Sequence, residues 1–468
     1  MVKSTKSVAQ HLGGIKGNLF TERLESANLE KTMVVPIDIG KNSHKAMIAN
    51  YFGTVLHSPF EFDNSMPGVS LFHKRLSSLA AHLGTERILV AMEATGHYYQ
   101  NLSLHLQGLG YETYILNPIS TKRCREAGLT WSKTDEKDLV AIGQALISAY
   151  ATPLHLQEPV WASLKIIERQ RRYQIKHQTA LKNKVHAILD SLCPGISEVD
   201  IFKEGHLWDN ASMDFFMNYS TPTQIIRLGS QRALNFFRRR GRRLNKLHAD
   251  QLIQWARNAL SHKQPETPTM QYILSLLLHQ LCRVNEDIRL LEIEVIKNLV
   301  QIPPVLLLTI DYIGPVTAGE FGGEISPLSQ YRCARSVIKG AGLDPVSYQS
   351  SKYEAPEHPI SRKGSSPLRY ISIDIGDRLM KNNKHFRFFA NRLIGRGKSE
   401  NCACVAVTGK FIRIAYWMLK ELKPFRPSTG LGIAKDPLRK IEQFLVQRKA
   451  PELIDSCIQS AKHYLKGA

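Results

Sequence analysis

The stretch Val34-Val35-Pro36-Ile37-Asp38-Ile39-Gly40 limits what this chain can fold into. A short apolar run delivers one carboxylate and then breaks at a glycine. A second run, Ile88-Leu89-Val90-Ala91-Met92-Glu93, ends on its own carboxylate. Asp135 and Asp138 follow in Lys133-Thr134-Asp135-Glu136-Lys137-Asp138. Four carboxylates at such points can bind a divalent metal, and metal is the usual route to cutting a phosphodiester.

The elements around these acids alternate. The pattern predicts strands over 33–39, 45–50 and 55–58, with a turn at Gly40-Lys41-Asn42-Ser43 and a hinge at Phe52-Gly53-Thr54. A helical period runs over 69–83, with Leu71, Phe72, Leu76 and Leu79 on one face. The strand ending in Glu93, a helix over 98–109 and the strand Tyr114-Ile115-Leu116 complete the series. A three-strand meander followed by helix, strand, helix, strand is the order of an RNase H-like fold. There the first strand is central, and later acids come from a neighbouring strand and a final helix. Asp135 and Asp138 fit that helix: residues at i and i+3 share a face, and Thr134 is placed to cap it. An acid-rich helix start also complements the helix dipole, so the pair alone decides nothing. Asp38 and Glu93 at strand ends, in the right order, favour a metal site.

Lys plus Arg number 62 against 41 Asp plus Glu, a formal charge of +21 over 468 residues. That excess points to a polyanionic partner, most simply nucleic acid. No apolar run approaches the roughly 18 residues of a membrane span, and there is no lipidation signal or apolar signal core. The expectation is a cytoplasmic protein without membrane contact. Cys402 and Cys404 form a lone Cys-x-Cys; no second pair completes a zinc site, and the seven cysteines read as buried, reduced thiols.

Five regions are expected: an N-terminal arm over 1–30, the α/β domain over 31–155, a helical middle over 156–300, a mainly helical unit over 301–425 and a basic, weakly helical tail over 426–468. In the middle region Leu164, Ile167, Ile175, Leu181, Val185, Ile188 and Leu192 form one stripe, with Arg169, Arg171, Arg172, Lys176, Lys182 and Lys184 on the other faces. Leu277, Leu281, Val284, Ile288, Leu291 and Val295 alternate steps of four and three. That seam suits an antiparallel hairpin or an intermolecular coiled coil, and an ordinary buried helix shares it. Between the stripes lie Arg238, Arg239, Arg240, Arg242, Arg243 and Lys246 beside Phe236 and Phe237, a composition suited to phosphate contact and base stacking. In the next unit Ile313-Gly314-Pro315-Val316-Thr317-Ala318 resembles the turn of a helix-hairpin-helix module. Ser350 and Ser351 sit in a stretch followed by Arg362 and Lys363; serine runs in loops are common, and the pattern alone does not single out a nucleophile. Ile373-Asp374-Ile375-Gly376 repeats the opening tetrapeptide without accompanying acids and reads as chance.

These residues together resemble the DEDD recombinases of insertion sequences, the "one-ten" family of bacterial transposases. The blocks that carry the resemblance are Ile37-Asp38-Ile39-Gly40-Lys41, Glu93-Ala94-Thr95-Gly96, 133–138, Ile313-Gly314-Pro315, and Gly342-Leu343-Asp344-Pro345 through Gln349-Ser350 to Ile360-Ser361-Arg362-Lys363-Gly364. They occur in the family's order over roughly residues 31–420. The resemblance implies a RuvC-like domain joined through coiled coil to a helical transposase domain. It implies Asp38, Glu93, Asp135 and Asp138 as ligands of Mg2+, two ions in all, and Ser350 as a nucleophile forming a phosphoserine link to DNA. Arg362 and Lys363 would then offset phosphate charge. It also implies donor and target DNA, a structured noncoding bridge RNA as guide, and a homodimer or tetramer. Ser351 stands where the family commonly has glycine, so either hydroxyl fits the nucleophile. Two rivals share these residues: a RuvC-like junction endonuclease that hydrolyses without a covalent intermediate, and a non-catalytic RNA-binding scaffold.

Overall fold

The computed structural model describes residues 28–94, 96–127, 134–148, 151–155, 157–260, 265–346 and 359–466, together with the backbone of 349–350 and 353–354. Most of the expected N-terminal arm lies outside the described residues. The chain divides into two compact units, residues 1–156 and 157–468.

The first unit is a sheet with helices on both faces. Its elements are β1 (Thr32–Ile39), β2 (Ser43–Asn50), β3 (Val55–Asp63), α1 (Met66–His82), β4 (Arg87–Glu93), α2 (Tyr99–Gly108), β5 (Glu112–Leu116), α3 (Pro118–Ala127), α4 (Asp135–Ile147) and the short β6 (Thr152–Pro153). The strand order is β3-β2-β1-β4-β5-β6. β1 pairs antiparallel with β2 and parallel with β4, so it is central. Side chains alternate across a strand. Met33, Val35, Ile37 and Ile39 therefore pack with Phe72 and Leu76 of α1 and Leu102 and Leu106 of α2. Val34 packs on the other face with Ile142, Ala145 and Leu146 of α4. β3 runs on to Asp63, five residues beyond the expected Ser58, because its ladder with β2 continues to the Ser43–Asp63 pair.

The second unit is nearly all helical: α5 (Pro159–Leu192), α6 (Asn210–Asn218), α7 (Pro222–Leu228), α8 (Ser230–Arg239), α9 (Lys246–Asn258), α10 (Thr267–Leu299), α11 (Pro315–Ile325), α12 (Ala334–Gly340), the two-residue strands β7 (Gln349–Ser350) and β8 (Tyr353–Glu354), α13 (Ser366–Asn382), α14 (Lys384–Ile394), α15 (Glu400–Glu421), α16 (Pro437–Gln447) and α17 (Ile454–Leu465). α5 and α10 pack antiparallel within one chain. Partners fall along α10 as they rise along α5: Arg171 faces Glu292, Gln174 faces Asp287 and Gln178 faces Asn285. Beyond them Leu181, Val185 and Leu189 meet Leu274, Leu278 and Leu281 in one core, which α6 to α9 close. A second core gathers α11 and α13 to α17. α15 is long and apolar enough to cross a membrane, but its Val407, Phe411, Ile412 and Ala415 are fully buried in this core. The stretch expected as a weakly helical tail contributes Ile441, Leu445, Cys457 and Ala461 to the same core.

Arg171, expected on one of the faces beside the apolar stripe, turns inward. It is buried, with Nε 2.6 Å from Glu168 Oε2 and Nη2 2.9 Å from Glu320 Oε2. Arg172 reaches the other oxygen of Glu320 at 3.1 Å, and Arg448 pairs with Glu292. The cluster ties α5 to α10, α11 and α16. α11 comes close enough because it carries glycines: a Cβ on Gly319 would lie 2.7 Å from Val295 and 3.0 Å from Glu168 Oε1. Gly376 has a similar packing role, since a Cβ there would lie 2.0 Å from Thr408 Oγ1 on α15.

Burial pushes the Glu168 carboxyl up to about 8 from 4.5, against the pull of Arg171 and with a further push from Glu320 and Glu292. A carboxyl raised on folding binds a proton that the unfolded chain has released, so its contribution weakens as pH rises between the two values. Glu168→Gln, a neutral mimic, should therefore gain stability relative to the parent as pH rises from about 5 to 8. Urea unfolding midpoints of both proteins across that range test this; a constant difference would contradict it.

Candidate active site

β1 must turn sharply after Ile39. A Cβ at Gly40 would lie 2.2 Å from the Ser43 carbonyl oxygen, so the tight β1–β2 connection requires glycine. β1 and β4 are in register at Ile37 and Met92, and both of these side chains point into the core on the α1 and α2 face. The next residues along, Asp38 and Glu93, are therefore neighbours on the α4 face. α4 crosses that face with Gly143 against Pro36, and its Ala145 and Leu146 share a core with Val34. It runs against β1, which brings its first turn to the Asp38 end. Thr134 caps that turn, its hydroxyl accepting from Lys137 N–H at 3.4 Å, and Asp135 and Asp138 lie within it. Four acids spread over a hundred residues of sequence thus come to one end of the sheet.

Each acid has a polar partner there. Lys45, opposite Asp38 on β2, pairs with Asp135. Its ammonium is held above the ordinary lysine value, chiefly by Asp135 and to a lesser degree by Glu61 and Asp38. Arg125 Nε lies 2.7 Å from Asp138 Oδ1, and Asp138 is 7% exposed. Thr121 donates to Glu93 Oε2 at 2.6 Å. Among the described residues no three Asp, Glu, His or Cys side chains are gathered closely enough to hold a metal ion. Asp135 and Asp138 stand in ion pairs and Glu93 accepts a hydrogen bond, which is not a ready-made cage. The donor set still fits a hard divalent cation, since all four groups offer carboxylate oxygen and two of them already hold a cation. Sequence reasoning missed Lys45, Thr121 and Arg125. Lys45 could have been found by counting across the hairpin from Asp38. The other two lie four apart on α3, a helix not foreseen.

The serine belongs to the second unit. A two-stranded base is tied by Ser361 N–H to the Asp344 carbonyl at 2.9 Å, Arg362 N–H to Gly342 at 3.0 Å, Ser365 N–H to Gly340 at 2.8 Å and Val346 N–H to Pro359 at 2.8 Å. It leads to the β7–β8 ladder, in which Ser350 pairs with Tyr353. Gly364 permits the tight base, since a Cβ there would lie 2.2 Å from the Gly340 carbonyl oxygen. Ser350 has its backbone in this hairpin; Ser351 lies outside the described residues. Arg362, at φ 53°, and Lys363 are exposed at the base. Ser361 donates to Asp344 at 2.5 Å, a clasp the sequence did not reveal.

The arginine-rich stretch splits in two. Arg242 is spent on the fold, reaching Asp209 at 2.6 Å and the Ile201 carbonyl at 2.7 Å. Arg240 pairs with Asp214 and lies 3.6 Å over Phe236. Arg238 donates to the Leu244 carbonyl at 3.0 Å but stays exposed, as do Arg239, Arg243 and Lys246. An open hollow of about 580 Å3 is lined by Arg238, Arg242, Arg243 and His248. The expected base stacking is corrected for Phe237: it faces inward from the amphipathic α8 and is fully buried.

Residues 35–194 match a transposase family of the DEDD, IS110 type, and residues 305–390 match the transposase family IS116/IS110/IS902. The chain belongs to the IS110 family of transposases. A Streptomyces clavuligerus protein described as the insertion element IS116 uncharacterized 44.8 kDa protein is 22% identical over 396 residues, covering 84% of this chain and 96% of the relative. The first matched segment of the transposase contains Asp38, Glu93, Asp135 and Asp138; the second contains Ser350, Arg362 and Lys363.

Lys45 competes with any cation for Asp135. Lys45→Met should tighten Mn2+ binding about two- to fivefold, the range expected when an exposed ion pair no longer has to open. Calorimetric titration of the parent and the variant measures it, and weaker binding by the variant would refute the competition.

Proposed function

We propose that this transposase cuts and rejoins DNA strands through a phosphoserine link. The acids Asp38, Glu93, Asp135 and Asp138 would hold two Mg2+ ions at the end of a RuvC-like sheet. The observation that carries the reading is the meeting of two strand acids and two helix acids at one sheet end. Bound there, divalent ions would supply positive charge to oppose the phosphate and to activate an oxygen nucleophile.

The rest is done by the chain's own groups. Asp38 and Glu93 are fixed by strands buried on both faces, so the oxygens are held in advance rather than ordered on binding. Lys45 and Arg125 balance Asp135 and Asp138 while the acids are free of metal. The Ser350 hydroxyl attacks the scissile phosphate in line and gives up its proton to water; the O–P bond to serine forms as the bond to the leaving 3′ oxygen breaks, and that oxygen takes up a proton from water. Arg362 and Lys363 offset charge on the phosphate. The covalent link keeps the phosphodiester energy, so rejoining needs no external source. A structured guide RNA selects the strands by pairing, which leaves the protein to read backbone and shape. A dimer or tetramer supplies acids and serine to shared sites, and the α5–α10 hairpin is the coiled-coil connector. The reaction takes place in the bacterial cytoplasm.

Asp38→Asn keeps size and hydrogen bonding while removing one ligand charge. It should lower Mg2+-dependent strand cleavage by at least about a hundredfold and leave nucleic-acid affinity nearly unchanged. Ser350→Ala should abolish the protein–DNA adduct seen on denaturing gels. If the adduct survives in Ser350→Ala and disappears in Ser351→Ala, the nucleophile is Ser351. Cleavage by the parent with no adduct at any time would favour simple hydrolysis.

A further inference from the structure

α14 has a second basic surface that the arginine-rich stretch does not share. Its inner side is apolar: Phe386 and Ala390 are fully buried. Its outer side follows the spacing of one helical face, with Lys384, Arg387, Phe388, Asn391 and Arg392 all exposed. Residues 384–398 hold five Lys or Arg and no Asp or Glu. Among the described residues none of these five cations forms an ion pair, whereas Arg240 and Arg242 do.

Phe388 stands in the middle of that row, 71% exposed. A lone exposed phenylalanine is ordinary. This one is set among cations and contributes little to its helix's own packing. Its neighbour Phe389 is half-buried beneath two cations, with Lys410 Nζ 4.8 Å and the Arg392 guanidinium 5.5 Å from its ring centre. Lys410 also lies 5.5 Å from the ring of the buried Phe386, so of these two cations only Arg392 belongs to the exposed row. A flat ring between exposed cations matches the repeat of an unpaired strand, where bases stack on aromatics and phosphates meet Lys and Arg. A duplex hides its base faces and would gain nothing from the ring.

We propose that the outer face of α14 binds an unpaired nucleic-acid strand, with a base stacked on Phe388 and phosphates held by Lys384, Arg387 and Arg392. The face uses none of the acids and none of the serine-hairpin residues named above, so its failure would leave the proposed chemistry untouched.

The test uses the full chain and measures anisotropy with a labelled, unstructured strand in deoxy and ribo forms and with a blunt duplex. Phe388→Ala and Phe388→Leu should both weaken binding of a single strand about 5- to 100-fold, the worth of one stacked base. Phe388→Trp should restore it, and duplex affinity should not change. Arg392→Ala should reduce the salt slope by about one contact for both single strand and duplex. A preference for the ribo form assigns the face to RNA, and for the deoxy form to melted DNA. Because the arginine-rich stretch also attracts strands, photocrosslinking with iodouridine and peptide mapping provides a second reading, with an adduct expected on α14. Unchanged single-strand affinity in Phe388→Ala together with no adduct on α14 overturns the proposal. So does a loss confined to binding of phosphatidylserine vesicles, which would make the face a membrane contact.

Discussion

β1 bonds along one edge to β2, which runs against it, and along the other to β4, which runs with it. Lys45 and Glu93 flank Asp38 for that reason. A slip of one residue in either ladder would turn Asp38 into the core and an isoleucine out of it. The register is held by burial: Val34, Val35 and Ile37 are almost wholly removed from water, and each such side chain is worth about 1.5–3 kcal/mol. An exposed ion pair such as Lys45–Asp135 adds little beside that. Packing sets where the acids stand, and the charges then settle among the positions packing allows. The Gly40 turn makes the arrangement possible by returning the chain immediately, so that β2 presents Lys45 opposite Asp38.

The second unit sets charge against packing differently. Arg171, Glu168 and Glu320 are buried together between helices, where desolvation is costly and an ion pair is poor evidence of net stability. Such a cluster can act on alignment instead. An apolar seam between α5 and α10 would tolerate a shift by one heptad. Arg171 facing Glu292, with Glu320 reaching in from α11, makes such a shift leave charges buried and unpaired. The polar layer lies where the leucine-rich part of the hairpin gives way to the core around α11, and the glycines of α11 let the helix approach near enough to close it.

Much of the first unit was legible because its signals are local. Apolar runs ending in acids gave β1 and β4, and Thr134 before Asp135 gave the start of α4. The partners of the acids were not legible, since they depend on register and on α3, whose polar sequence gives no clear period. In the second unit the spacing found the apolar stripes of α5 and α10 and set Arg171 on the other faces with Arg169 and Arg172, without showing that Arg171 is buried. Periodicity gives the direction of a side chain, not whether the facing helix carries a carboxylate. α16 and α17 were expected only as a weakly helical tail for a related reason: each has a short apolar face whose partners only tertiary packing reveals. Gly376 was dismissed as part of a chance repeat, and the repeat does have two unrelated causes, a turn at Gly40 and a helix crossing at Gly376.

Net charge says that a polyanion is bound but not where. Taken as sequence, Arg238 to Lys246 is the densest cationic stretch, and it drew the first assignment. In the folded chain part of that charge is internal: Asp209 and Asp214 hold Arg242 and Arg240, and Phe237 is core. Residues 384–398 are less dense, yet among the described residues their cations are not matched by acids, and their exposed ring is not needed by the fold. A phosphate pays no desolvation of an existing ion pair to reach them, whereas reaching Arg240 or Arg242 requires a carboxylate to be displaced. Arg238, Arg239, Arg243 and Lys246 also stay exposed, so uncompensated charge, not the number of cations in a row, is what each surface offers a strand.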